Sequence, residues 1–126
     1  MTNLLLDTNV FLWYFWGSHR INSIKPLIGS VETKVYISTI TFWEIAIKVR
    51  AGKLTVDLEQ LRSYAEMYAF DELPVTSMYI NAYLELPNLH KDPFDHMLLA
   101  QAISSPMRLI TGDSHLAEYS SLVMVI

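Results

Sequence analysis

Apolar runs broken by polar clusters divide the chain into short strand-like and longer helix-like segments. Leu4-Leu5-Leu6 is an unbroken apolar run closed by Asp7, the pattern of a strand buried on both faces in a parallel sheet. Val10 to Trp16 follows as a helix that is apolar all round. Residues about 100° apart cannot all face one core, so some of its aromatics are expected to meet another surface. Gly17 and Ser18 stop it. Ile21, Ile24, Ile28 and Val31 carry helical spacing interrupted by Pro26 and Gly29, and predict a helix over 21–31. Lys34 to Ile37 is the expected second strand, with Ser38 or Thr39 capping the next helix. In that helix Phe42, Ile45, Ala46 and Val49 share one face over 42–50, and Gly52 ends it. Asp57 to Tyr68 predicts a further helix, with Asp57 as N-cap and Leu58, Leu61, Ala65 and Tyr68 inward.

The second half repeats the alternation. Phe70 to Val75 reads as a third strand, Thr76 to Leu86 as a helix and Asn88 to Lys91 as a loop. Asp92-Pro93-Phe94-Asp95 opens a helix over 94–104 whose Met97, Leu98, Leu99, Ala100, Ala102 and Ile103 predict near-complete burial. Pro93 suits the first helical position. Arg108 to Thr111 is the fourth strand, Gly112-Asp113 a turn, Ser114 to Tyr119 a short helix and Leu122 to Ile126 the last strand. Strands alternating with helices imply α/β architecture with right-handed crossovers. With no repeat or linker, the 126 residues read as one domain, 1–126.

Composition sharpens this. A hydrophobic share of 52% and mean hydropathy of +0.25 are high for a lone soluble domain and favour a homodimer or a partner interface. Val10 to Trp16 falls far short of the roughly 18 residues of a membrane span. Met1 leads almost directly into the first strand, without a basic-then-apolar leader, so no membrane role is expected. Absence of cysteine excludes disulfides and thiolate metal sites and fits a cytoplasmic protein. The net charge of −4, from 9 basic and 13 acidic residues, opposes nucleic-acid binding by bulk electrostatics. Four acids committed to a metal would leave nine against nine, and the sign would then exclude little.

Four acids share a placement. Asp7 follows the first strand and Asp113 the fourth; Glu44 lies early in the helix after the second strand, and Asp95 in the first turn of the greasiest helix. In an α/β layer these positions lie at one edge, the carboxyl ends of the strands. Gathered carboxylates repel unless a cation intervenes, and oxygen-only ligands select hard ions such as Mg²⁺ or Mn²⁺, which act on phosphate esters. Each acid also has a plainer reading. Asp7, Thr8, Asp92 and Asp113 can be N-caps, Asp95 can be the acid at the third helical position behind the Asp92 cap, and Glu44 can form an i,i+4 pair with Lys48. Thr8 and Asn9 can cap or ligate. His19, His90, His96 and His115 lack zinc-site spacing. Ser38 and Thr111 read as backbone caps, and four glycines form no phosphate loop. Lys48, Arg50, Lys53 and Arg62 are the basic cluster, most simply a solvated helix face.

Taken together, Leu6-Asp7-Thr8-Asn9-Val10, Trp43-Glu44-Ile45-Ala46-Ile47-Lys48, Asp92-Pro93-Phe94-Asp95 with Leu99-Ala100-Gln101-Ala102, and Leu109-Ile110-Thr111-Gly112-Asp113 resemble the PIN-domain family. The closest likeness is to VapC-type toxins of bacterial toxin–antitoxin pairs, and the ordered motifs span nearly the whole chain. The resemblance implies a three-layer α/β/α fold with a parallel sheet of about five strands in the order 3-2-1-4-5. It also implies a metal-dependent endoribonuclease, with Asp7, Glu44, Asp95 and Asp113 matching the family's acidic quartet, and a VapB-type antitoxin as partner. One departure is His96, where this toxin group usually carries an arginine.

The expected activity is Mg²⁺- or Mn²⁺-dependent hydrolysis of single-stranded or looped RNA, whose splayed nucleotides leave the phosphate reachable. Asp7, Asp95 and Asp113 hold the metal in this reading, and Glu44 ligates a second ion or orients the attacking water. The alternatives are an aspartyl-phosphate phosphotransferase or phosphatase with Asp7 as nucleophile, and a non-catalytic binding protein of the same fold.

Overall fold

The computed structural model describes residues 1–88 and 92–126. Five strands, β1 (Thr2–Leu6), β2 (Thr33–Ser38), β3 (Asp71–Leu73), β4 (Arg108–Thr111) and β5 (Val123–Val125), pair in parallel in the order β3-β2-β1-β4-β5. The central position of β1 follows from its leucines: Leu4, Leu5 and Leu6 are fully buried, which requires cover on both faces. Leu5 is in register with Tyr36 on one side and Leu109 on the other.

The helices are α1 (Thr8–Trp16), α2 (Lys25–Ile28), α3 (Thr39–Arg50), α4 (Leu58–Met67), α5 (Ser77–Glu85) and α6 (Pro93–Ser104), with 3-10 turns at His19–Ile21 and Ser114–Glu118. Because side chains alternate across a strand, β1 serves two cores. Leu4 and Leu6 join Val35, Ile37 and Ile110 against Val10, Phe11, Phe42, Ile45 and Leu61. Leu5 joins Leu73, Leu109 and Val123 against Tyr79, Leu98, Leu99, Ala102 and Leu116. The result is helix, sheet, helix in three layers. No helix among the described residues is long and apolar enough to cross a membrane.

Several boundaries differ from the sequence expectation for identifiable reasons. The helix expected over 21–31 is a 3-10 turn followed by the four-residue α2. Pro26 lacks the N–H that would continue a helix through it, and the chain turns after Gly29. Ile21, Ile24 and Ile28 are buried as expected, but Val31 is 96% exposed. The expected third strand, 70–75, is confined to Asp71–Leu73, since Pro74 has no N–H for the ladder and Val75 donates its own to Thr39 Oγ1 (3.1 Å). Val49, Tyr68 and Ile103, expected inward, are exposed at the ends of their helices.

The aromatics of α1 expected to meet another surface meet one inside the chain. Tyr14 and Phe15 pack edge-on against Tyr64 (6.0 and 5.1 Å between centroids), and Tyr14 also contacts Tyr68 and Phe70. Trp16 is left half-exposed. Of the expected loop Asn88 to Lys91, all but Asn88 lies outside the described residues, His90 included.

Candidate functional site

The site is built where β1 and β4 end, beside each other at the point where strand order reverses about β1. Asp7 leaves the ladder after donating its N–H to the Ile110 carbonyl (3.0 Å). Its Oδ1 accepts the Val10 N–H (2.8 Å) and its Oδ2 accepts the Thr111 hydroxyl (2.6 Å). The two readings of Asp7 therefore coexist: it caps α1 and faces the cleft. Thr111 Oγ1 also accepts the Asp113 N–H (3.0 Å), so a single hydroxyl ties the two acids together. Asp113 caps the second 3-10 turn through Oδ1, which accepts the His115 N–H (2.9 Å).

Glu44 is buried on the second turn of α3. Its Oε1 accepts the Thr8 hydroxyl (2.5 Å) and its Oε2 pairs with Lys48 Nζ (3.0 Å), so the i,i+4 pair exists, but on the cleft wall. On α6, Asp92 Oδ1 caps the helix by accepting the Phe94 N–H (2.9 Å), and Asp95 projects from the first turn.

Asp7, Glu44, Asp92, Asp95 and Asp113 thus line one cleft of about 460 Å³ together with Arg20 and Lys48. Five carboxylates face two cations. Burial, and then the charges of Asp92, Asp7, Glu44 and Asp113, push the Asp95 carboxyl up to about 8. Burial likewise raises Asp7 to about 6, against the lowering effect of its bonds from Thr111 and Val10, with Glu44's charge adding to the rise. These shifts measure how poorly the cleft tolerates its own charge.

The donor set is all oxygen, without thiolate, and carries excess negative charge, which suits a hard divalent cation. Among the described residues no three acidic or imidazole side chains close on a common point as a ready-made metal cage. Both Asp7 oxygens are committed to internal donors, so the fit lies in chemistry and charge rather than in a preformed shell.

All four acids singled out in the sequence are therefore brought together. His96 is not among them: it is buried on the far side of α6, its ring 5.9 Å from Tyr83 and 6.4 Å from Tyr119. The basic cluster does not act as a unit. Lys48 enters the cleft, Arg62 pairs with Glu59 (2.7 Å) on its own helix, and Arg50 and Lys53 are exposed outside the cleft lining. Sequence reasoning reads Thr111 as a backbone cap, which its acceptance of the Asp113 N–H bears out, and misses only its bond to Asp7; a hydroxyl ending a strand beside two turn acids is the available signal. It also passed over Trp13 and Arg20, which line the cleft and carry no motif.

Comparison with solved structures finds the same fold repeatedly. The chain superposes with a TM-score of 0.73 at 16% identity on a chain of VapBC2 from Rickettsia felis bound to a DNA fragment from their promoter, covering 99% of this chain and 98% of that one. A toxin–antitoxin complex from Klebsiella pneumoniae gives 0.69 at 19% identity, with 97% and 96% covered. VapBC-5 from Mycobacterium tuberculosis, a member of the VapBC family of toxin–antitoxin systems, gives 0.64 at 21%, with 100% and 98% covered. Comparison with curated proteins found no match. The family model for the PIN domain matches residues 4–122, and with the strand order and the acid-lined cleft at the β1–β4 edge already in place, the chain belongs to the PIN domain family.

Proposed function

We propose that this chain is an endoribonuclease that hydrolyses phosphodiester bonds of single-stranded or looped RNA with Mg²⁺ or Mn²⁺, and that it is the VapC-type toxin of a toxin–antitoxin pair. The observation carrying the proposal is the convergence of Asp7, Glu44, Asp95 and Asp113 on one cleft with uncompensated negative charge. Likeness in fold to VapBC toxin–antitoxin structures supports the biological setting.

Asp7, Asp95 and Asp113 would hold the cation. When bound, it neutralises charge on the phosphate oxygens and favours ionisation of the attacking water. Thr111 fixes the Asp7 carboxylate and the Asp113 backbone together. The Thr8 hydroxyl aims Glu44, which holds a second ion or orients the water. Water attacks phosphorus and the ester P–O bond breaks, leaving a phosphate monoester and a free hydroxyl. A VapB-type antitoxin is the expected partner, and half-exposed Trp16 with exposed Met67 and Tyr68 offers apolar surface for it or for a second copy of the chain.

Incubation of the pure protein with RNA and with p-nitrophenyl phosphate, each with and without Mn²⁺, tests the activity. Metal-dependent cleavage of RNA alone is expected. Turnover of the small ester with accumulation of alkali- and hydroxylamine-labile phosphoprotein indicates the aspartyl-phosphate chemistry instead, and inertness toward both leaves a binding protein. Co-purification with the product of the adjacent reading frame tests the antitoxin.

A further inference from the structure

The cleft has a cation to which the proposed hydrolysis assigns no role. Arg20 lies in the 3-10 turn after α1, its N–H accepted by Ser18 Oγ (3.2 Å). Its guanidinium carbon stands 4.0 Å from the centroid of the Trp13 ring, within the range of a cation–π contact. Trp13 is itself seated on the turn carrying Asp113: a Cβ at Gly112 would lie 2.6 Å from Trp13 Cη2, so a side chain there would displace the indole. Gly112, Trp13 and Arg20 form a stack that fixes a guanidinium beside the acids.

Among the described residues Arg20 is in no ion pair, whereas Lys48, the other cation of the cleft, is committed to Glu44 at 3.0 Å. Stacking on the ring face restrains the fork without occupying its N–H donors. A planar fork with free donors matches two oxygens of one phosphate. His96 cannot supply such a contact, being buried against Tyr83 and Tyr119.

We infer that Arg20 is a substrate-binding residue that grips a backbone phosphate of the RNA strand, positioned by Trp13 on Gly112. The inference rests on the endoribonuclease reading and adds to it the group that places the strand in the acidic cleft. The test is cleavage of a fluorogenic single-stranded RNA oligonucleotide in Mn²⁺ over a range of salt concentrations, with Arg20→Ala, Arg20→Lys and Trp13→Leu. Arg20→Ala is expected to lower kcat/KM at least tenfold. The slope of log kcat/KM against log salt becomes shallower by about 0.7, the value for one phosphate contact on a single strand, with melting temperature unchanged. Arg20→Lys restores the slope but only part of kcat/KM, for want of the fork. Trp13→Leu lowers kcat/KM, and combining it with Arg20→Ala adds less than the sum of the two effects. An unchanged slope in Arg20→Ala overturns the inference, whether or not kcat/KM falls, while the wild-type cleavage stands. Failure of the wild type to cleave overturns the nuclease reading and the inference with it.

Discussion

Asp92 and Asp95 stand three residues apart and look alike in sequence, yet they do different work. Asp92 Oδ1 satisfies the Phe94 N–H, so Asp92→Ala should cost about 1 kcal/mol in urea denaturation while much of the RNA cleavage survives. Asp95 carries the charge the cleft resists most. Its carboxyl is held near 8, far above the ordinary value of 3.8, so the folded state binds its proton more tightly than the unfolded chain does. Its contribution to stability is therefore fully present below about pH 4 and is lost as pH rises toward 8. In chelator, the urea midpoint should fall between pH 5 and pH 8 more for the wild type than for Asp95→Asn, which keeps the shape and removes the charge. Asp95→Asn should also abolish RNA cleavage. An active Asp95→Asn beside an inactive but stable Asp92→Ala would reverse the assignment. Thr111 gives a third test at this scale. Thr111→Val deprives the buried Asp7 carboxylate of a donor and the Asp113 N–H of an acceptor; it should cost about 1–3 kcal/mol and lower kcat. Unchanged stability and rate would mean that the bridge is incidental.

At the scale of elements, much of the fold was legible because strands and helices here are marked by local chemistry. β4 at Arg108–Thr111 has the bounds expected, since a polar turn follows it directly. Asp57 and Asp92 cap α4 and α6 as their sequence positions imply. The features that were not legible depend on contacts distant in sequence. Helical spacing from Ile21 to Val31 says nothing of where the chain must turn to enter β2, and Val31 falls on the solvent side of that turn. The aromatics of α1 are too many for one helix face, and periodicity in α1 cannot reveal that α4 brings Tyr64 against them. The acids were found because each lies just after a strand or in the opening turns of a helix, both recognisable from sequence. Arg20 was not, since it sits in a short irregular turn and gains its place only through Trp13 and Gly112. A pair of substitutions checks the elements directly. Leu5→Ala, in the middle of β1 and fully buried, should cost about 2–5 kcal/mol in urea unfolding. Val31→Ser should change stability by no more than about 0.5 kcal/mol; a loss comparable to Leu5→Ala would restore the longer helix expected from spacing.

Over the whole molecule, the sheet order decides the chemistry. With β1 central and β2 and β4 on either side, the turns leaving β1 and β4 and the helix leaving β2 open at one edge, and α6 adds its first turn to the same cleft. Acids far apart in the chain, from Asp7 to Asp113, come together there at a cost that the raised carboxyls of Asp7 and Asp95 record. A cation that binds only the folded chain relieves that cost and stabilises it by mass action. The most direct measurement is the melting temperature of the wild type and of the Asp7→Asn, Asp113→Asn double variant, each titrated with Mn²⁺ from chelator into the millimolar range. The melting temperature should climb with Mn²⁺ in the wild type and stay level in the double variant. An equal climb in both would contradict the assignment, placing the metal elsewhere than among these acids.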